Sequence, residues 1–253
     1  MKYCSECGHE LMEKECGIDG KIPYCPTCKE FRFPLFSSAI SSITFNPDHT
    51  KVLLIQQYGK KSNVLVAGYI NKGENAKETL LREMKEEVGL TVIDAIYNDN
   101  VYFKKSETLI HNYITTVASE NFTLTDEVDS AQWFSLEDAV QMIKPNSLAK
   151  DFLFRAYHKL NLTTKLFHYE KERIYLNDSE DHLVAEITFP YRNQVHQINH
   201  TFVDPSLRGM GIAGKLCEEA YRMIKKENRT ANAVCSYAIH WFASHPEKQD
   251  ILI

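Results

Sequence analysis

The sequence predicts an α/β protein built from three consecutive segments. Three observations carry that expectation. Two C-x2-C pairs lie near the start, a glycine-bounded acidic helix window at 68–90 sits among strand-like runs, and after residue 164 the pattern changes to strands, a glycine-rich turn and a helix. A chain of 253 residues is long enough for one to three domains with sizeable cores. Hydrophobic content of 43% and charged content of 25% are ordinary for a globular protein. The formal net charge of −5 gives no electrostatic argument for nucleic acid or a membrane surface as partner. No apolar run approaches the roughly 18 residues of a spanning helix. The first residues lack the apolar core of a signal peptide, so the expectation is a cytoplasmic protein with no membrane association.

The seven cysteines are Cys4, Cys7, Cys16, Cys25, Cys28, Cys217 and Cys235, and an odd count argues against a disulfide framework. Each C-x2-C pair (Cys4/Cys7 and Cys25/Cys28) presents two thiolates from one tight turn, and four thiolates complete a tetrahedron around Zn²⁺. The spacing predicts a zinc ribbon over 1–34, serving as a structural staple for a segment too small to hold a core alone. Cys16 is expected to be a spare thiol.

Strand-like runs follow at Ala39–Phe45, Lys51–Gln57 and Asn63–Ala67. A helix comes next, with Leu80, Leu81, Met84 and Val88 along one side. Further strands are expected at Val92–Phe103, Leu109–Val117 and Asp129–Phe134. Ser135 is a predicted N-cap for a short helix over Leu136–Ile143. Lys144–Ser147 breaks it, Leu148–Leu160 reads as another helix, and Asn161–Thr164 as a linker. Mixed strands with helices on both sides imply an α/β/α sandwich with a mixed sheet over 35–160.

Within the acidic window, Glu83, Glu86 and Glu87 are related by i, i+3 and i+4 and share a side of the helix. Three carboxylates on one strip repel unless a cation sits among them, and hard oxygen donors select Mg²⁺ or Mn²⁺. Arg82, four residues from both Glu78 and Glu86, is placed to orient the cluster. Gly68 permits close backbone approach, with its carbonyl as a further ligand.

Gly68, Glu74, Arg82, Glu83, Glu86, Glu87 and Gly89 fit the spacing G-x5-E-x7-R-E-U-x-E-E-x-G-U, with Met84 and Leu90 at apolar positions. This segment resembles the signature of the Nudix hydrolases without a gap. The resemblance implies an α/β/α fold and metal-dependent hydrolysis of a nucleoside diphosphate linked to some group X. Glu127, six residues before Trp133-Phe134, best matches the family's additional metal-site glutamate, with Asp126 and Asp129 as competitors. The proton acceptor stays open between carboxylates such as Glu86 and Glu127. A zinc ribbon directly before such a domain, with Phe33-Pro34, Ala67-Gly68-Tyr69 and Gly73-Glu74, is similar to the NADH pyrophosphatases. Their proline–tryptophan stretch after the box is absent, since 98–108 contains neither residue type. Tyr97, Tyr102 and Phe103 in or beside that region are expected to be core, with stacking on a base as the alternative.

Beyond residue 164, Glu172–Leu176, His182–Phe189 and Val195–Val203 read as strands. The following helix carries a stripe of Ile212, Leu216, Ala220, Met223 and Ile224, and Cys217 reads as core. Strand, small-residue turn and helix in that order aim backbone N–H groups at an anion. Arg208, Gly211 and Ala213 fit the R/Q-x-x-G-x-G/A turn of the Gcn5-related N-acetyltransferases, and the longer run 200–213 resembles a small branch of that family. The resemblance implies a domain over 165–253 that binds acetyl-CoA, with its pyrophosphate held by amides of Arg208, Gly209, Gly211, Ile212 and Ala213. Cys235 falls on an expected strand beside the expected thioester and reads as a buried inert thiol, with a reactive one as the alternative; Tyr237 is read as proton donor to the leaving thiolate and His200 as base.

The leading expectation is therefore a two-activity enzyme, a pyrophosphohydrolase fused to an acetyltransferase-type domain, acting on a nucleotide-type small molecule such as NADH or a related dinucleotide. The alternatives are a nucleotide sensor that does not hydrolyse its ligand, and a hydrolase whose C-terminal domain binds acetyl-CoA only as a regulator. A two-fold dimer is the default oligomer.

Overall fold

The computed structural model describes residues 2–178 and 181–253. Strands β1 (Met12–Glu15), β2 (Lys21–Cys25) and β3 (Glu30–Phe31) form a small antiparallel sheet. The side chains of β1 are all exposed, and Cys4 and Cys25 are the buried residues in this stretch.

The central sheet is built on two strands, 37–45 and 51–57, whose apolar residues are enclosed. β4 (Ser37–Phe45) lies at its centre, flanked by β5 (Lys51–Gln57) and β6 (Val66–Tyr69) on one edge. After α1 (Ala76–Val88) come β7 (Val92–Phe103), β8 (Thr108–Val117) and β9 (Val128–Ser135), giving the order β7-β8-β4-β5-β9 with β4 and β8 parallel. The buried hydroxyls of this layer satisfy one another: Ser42 bonds Thr44 at 2.9 Å and Thr115 at 2.7 Å. One core joins α1 to the sheet through Leu80, Met84 and Val88 against Ile40, Leu53 and Ile55.

Helices α2 (Leu136–Met142) and α3 (Leu148–Lys159) cover the other face. Ser135 caps α2 as the sequence predicts, accepting from the Asp138 N–H at 3.1 Å. The core on this side runs without a break from Phe45 and Phe152 into Ile174, Ile187 and Leu216 beyond. Those last residues belong to a sheet of β10 (His168–Glu170), β11 (Arg173–Asn177), β12 (Leu183–Thr188) and, later in the chain, β15 (His200–Val203). β13 (Tyr191–Arg192), β14 (Val195–Ile198) and β16 (Ala231–Ala233) form a second sheet in which β14 and β16 are parallel. α4 (Ile212–Lys226) and α5 (Ser236–Ser244) complete the fold.

Several expectations need correction. Leu81 is exposed, because α1 turns it away from the Leu80–Met84–Val88 stripe. The strand expected at Asn63–Ala67 pairs over Val66–Tyr69, since the Asn63 side chain is engaged with Gln56 and the Met142 carbonyl. Tyr97, Tyr102 and Phe103 are exposed on the edge strand β7 rather than buried. Asn161–Thr164 is not a free linker: Thr163–Leu166 is a 3-10 turn with Thr163 and Leu166 buried. The single strand expected over Val195–Val203 breaks at Asn199, whose side-chain oxygen accepts from Thr188 Oγ1 at 2.8 Å. Cys235 lies past the end of β16, as the N-cap of α5.

Candidate active site and cysteine cluster

The acidic cluster is placed by α1. Asn75 caps the helix through a capping box with Glu78, so Glu78 is used at the cap and not by Arg82. Arg82 instead reaches across to the loop. Its Nε and Nη2 donate to the two Glu74 oxygens at 2.8 and 2.9 Å, and its Nη1 donates to Glu83 Oε1 at 2.7 Å and Glu86 Oε2 at 2.9 Å. This bidentate guanidinium holds the Glu74 carboxyl down at about 2, with help from the Thr79 hydroxyl at 2.8 Å. Arg82 Nη2 also donates to the Tyr69 carbonyl at 3.2 Å, tying β6 to the helix.

Glu83 and Glu87 are buried, while Glu86 is exposed. Burial pushes the Glu83 carboxyl up against the opposing pull of Arg82. Glu87 is 3% exposed, and burial raises it to about 7, with Glu83 and Glu127 adding repulsion. Its Oε1 accepts from Gln57 Nε2 at 2.8 Å, whereas its enclosed Oε2 has no hydrogen-bond partner. Such an orphaned carboxylate oxygen fits a cation ligand.

Gly68 on β6 lies against Glu83, and a β-carbon there would overlap the Glu83 carboxyl. Gly68→Ala is therefore expected to cost about 1–3 kcal/mol through overpacking. The cost should vanish when Glu83 is also truncated to Ala, read as a double-mutant cycle of thermal midpoints. An undiminished penalty in the Glu83→Ala background would refute the steric account.

Gln57, Gly68, Arg82, Glu83 and Glu87 line a cleft of about 510 Å³ that also takes in Glu127, while Glu74 and the exposed Glu86 are not among its lining residues. Its far wall includes Thr108, Ile110, Leu148, Ala149 and Phe152. Of the competitors to Glu127, Asp129 accepts from the Gly59 N–H at 2.7 Å, and Asp126 does not line the cleft. Gln57 and Thr79 carry no local sequence signal for their roles, because Glu87 and Glu74 meet them only through the packing of β5 and the loop on α1. Among the described residues the glutamates are not gathered as tightly as the thiols below. Like charges hold apart, and Arg82 draws Glu83 and Glu86 toward itself.

Cys4, Cys7, Cys25 and Cys28 converge, with their sulfurs all within 4.8 Å of one another. Cys4–Cys28 and Cys7–Cys25 separations are 3.9 and 3.5 Å. A tetrahedral ion with Zn–S bonds of about 2.3 Å needs sulfurs about 3.8 Å apart, so the set fits zinc. The Cys7 backbone N–H and Arg32 lower the Cys4 thiol to about 6, with Arg32 Nε at 3.3 Å from its sulfur. Cys16 stands outside the tetrad.

A second cleft, of about 550 Å³, lies along Thr201, Phe202 and Val203 of β15, the strand that pairs with β12. Arg208, Gly209, Gly211, Ile212, Ala213 and Tyr237 line it. Gly211 is the N-cap of α4, with φ of 72° and no side-chain cap, so the helix presents its first N–H groups openly. Cys235 donates to Thr201 Oγ1 at 3.3 Å, and Thr201 lines the cleft. Burial raises Tyr237. His200 is turned to Glu186, with 3.4 Å between Nε2 and Oε1, and does not line the cleft. Cys217 is fully buried.

Residues 35–156 match the NUDIX domain family. The chain carries a NUDIX domain. Residues 173–251 match a second family, described as GCN5-related N-acetyl-transferase. The chain is 23% identical over 154 residues to the NAD-capped RNA hydrolase NudC of Pseudomonas aeruginosa, covering 60% of this chain and 54% of that protein. It is 28% identical over 149 residues to the mitochondrial NAD(P)H pyrophosphatase NUDT13 of Mus musculus, covering 56% and 41%. The chain thus spans about half the length of the curated relatives it matches. A NUDIX hydrolase from Nitrosomonas europaea is similar in structure with a TM-score of 0.49 at 18% identity, covering 63% of this chain and 93% of that one. Among the described residues no helix is long and apolar enough to cross a membrane.

Proposed function

We propose that this protein is a metal-dependent pyrophosphohydrolase that cleaves a nucleoside diphosphate linked to X, with a nicotinamide dinucleotide as the leading substrate class. The observation that carries this is Glu87, a buried carboxylate with one unpartnered oxygen beside Glu83, at the base of the 510 Å³ cleft. A sensor that only binds a nucleotide has no use for such destabilising groups. Glu83, Glu86, Glu87, Glu127 and the Gly68 carbonyl would hold Mg²⁺ or Mn²⁺. When bound, the ion supplies Lewis-acid stabilisation of phosphate charge and activation of water. Arg82 fixes Glu74, Glu83 and Glu86 in register. Glu86, with Oε2 on Arg82, and Glu127 are the two candidates to accept a proton from water. The apolar wall of Ile110, Leu148 and Phe152 offers a dry face for a planar ring. The names of NudC and NUDT13 favour NAD-type ligands, free or attached to RNA.

The proposed organisation is a zinc-binding segment over 1–34, the hydrolase domain over 35–160 and an acetyl-CoA-binding domain over 165–253, assembled as a two-fold dimer in the cytoplasm. The uncapped α4 N-terminus beside the second cleft supports acetyl-CoA binding there, and acetyl transfer with Tyr237 as proton donor is the reading for that cleft.

The test is a panel of NADH, NAD⁺, ADP-ribose, diadenosine polyphosphates, nucleotide sugars, coenzyme A and nucleoside triphosphates with Mg²⁺ or Mn²⁺. Cleavage of a dinucleotide is expected, with Glu86→Gln slower by about 10²-fold or more. A panel with no turnover, or a Glu86→Gln variant as fast as wild type, would refute the hydrolase or the role of Glu86 respectively.

A further inference from the structure

We propose that the seam between α3 and the Arg208–Gly211 turn binds the phosphate monoester of a nucleotide held in the second cleft, so that the NUDIX segment completes the C-terminal domain's ligand site. This rests on reading the second cleft as a coenzyme A site.

The seam is a cavity of about 360 Å³ that shares Arg208 and Gly209 with the second cleft. Its opposite wall is Asn98, Asp99, Arg155, His158 and Lys159, all from the segment before residue 160. The charge balance there is positive. Asp99 is the one carboxylate lining it, and Arg155 pairs with it. Lys159 donates to the Tyr97 and Asn98 carbonyls, and Arg208 Nε to the Val203 carbonyl at 3.4 Å. Among the described residues no carboxylate pairs with Lys159 or Arg208, and neutral carbonyls leave their charges uncompensated.

Two further observations point at a ligand. His158 lines the seam, and its Nδ1 is enclosed with no hydrogen-bond partner among the described residues, so the imidazole is an unsatisfied polar group in that wall. Its ring lies directly under Gly211, where a β-carbon would overlap the imidazole. The seam and the start of α4 are therefore one contiguous surface. α4 runs 15 residues with no acidic residue in its first turn, so its dipole adds to the same field. Separate cationic donors on two walls suit a phosphate monoester, which carries up to two charges on three outward oxygens. A carboxylate would satisfy fewer of them.

Coenzyme A carries a 3′-phosphate monoester in addition to its pyrophosphate, and dephospho-coenzyme A lacks it. Calorimetric titration of the full-length protein with both is the test. Wild type is expected to bind coenzyme A about tenfold more tightly, the scale of a charge-assisted contact. Lys159→Ala and Arg155→Ala should each shrink that ratio towards one while leaving dephospho-coenzyme A affinity within about twofold, and Lys159→Arg should keep most of it. Inorganic phosphate should compete with coenzyme A and not with the dephospho form. A wild-type ratio near one, or variants that weaken both ligands equally, overturns the seam site and leaves the cleft reading standing. No binding of either ligand overturns both.

Discussion

Glu87→Gln is expected to abolish hydrolysis, by about 10³-fold, while making the metal-free protein more stable. The two effects have one cause. The carboxylate is enclosed, with Oε1 on Gln57 and Oε2 unpartnered, and burial lifts it to about 7. An acid whose folded value is raised favours folding only while protonated. Its contribution is intact below the ordinary carboxylate range and is lost as pH rises through about 7. Glutamine keeps the Gln57 hydrogen bond and carries no charge. The gain should therefore be small at pH 5 and about 2 kcal/mol, or a few degrees in thermal midpoint, at pH 8. Mg²⁺ should reverse the order by stabilising wild type alone. Thermal scans at both pH values, in chelator and in Mg²⁺, check this. A variant no more stable than wild type at pH 8 in chelator would mean that Glu87 is not a buried charge held for a ligand.

The contrast between Glu87 and Glu86 shows where sequence reading stops. Both fall in a window whose letters are local, so the helix and the clustering of acids were legible. Which acid is buried was not, because it depends on β5 delivering Gln57 and β6 delivering Gly68 to the helix. The same limit explains Leu81, whose spacing fits the apolar stripe but whose side chain finds no facing layer. The break at Asn199 is set by two different partner strands, β16 and β12, distant in sequence. α3 is the clearest case. Its periodicity announces a helix, yet nothing local says that Leu148 and Phe152 wall one cleft while His158 lies under Gly211 of the next.

Loss of zinc, with Mg²⁺ kept in excess, should act on the N-terminal segment alone. Its strands bury only Cys25, and the Tyr24–Phe31 edge contact, with ring centroids 5.2 Å apart, is a small apolar reserve. Ordering some thirty residues costs tens of kcal/mol in conformational entropy, which such contacts do not offset. Four thiolates around one ion would: structural zinc contributes about 10–16 kcal/mol in comparable small units. Cys7→Ser, or a strong chelator, is thus expected to abolish hydrogen-exchange protection across residues 2–32 and open them to protease. Cys16→Ser, outside the tetrad, should do neither. The central sheet should keep its protection. Beyond this segment, β4 gains order from β8 along its whole length, and the join includes the Ser37 N–H on the Glu107 carbonyl and Phe36 against Tyr102. Retained protection in 2–32 after verified metal loss would show that the hairpins hold themselves, and the staple reading would fall.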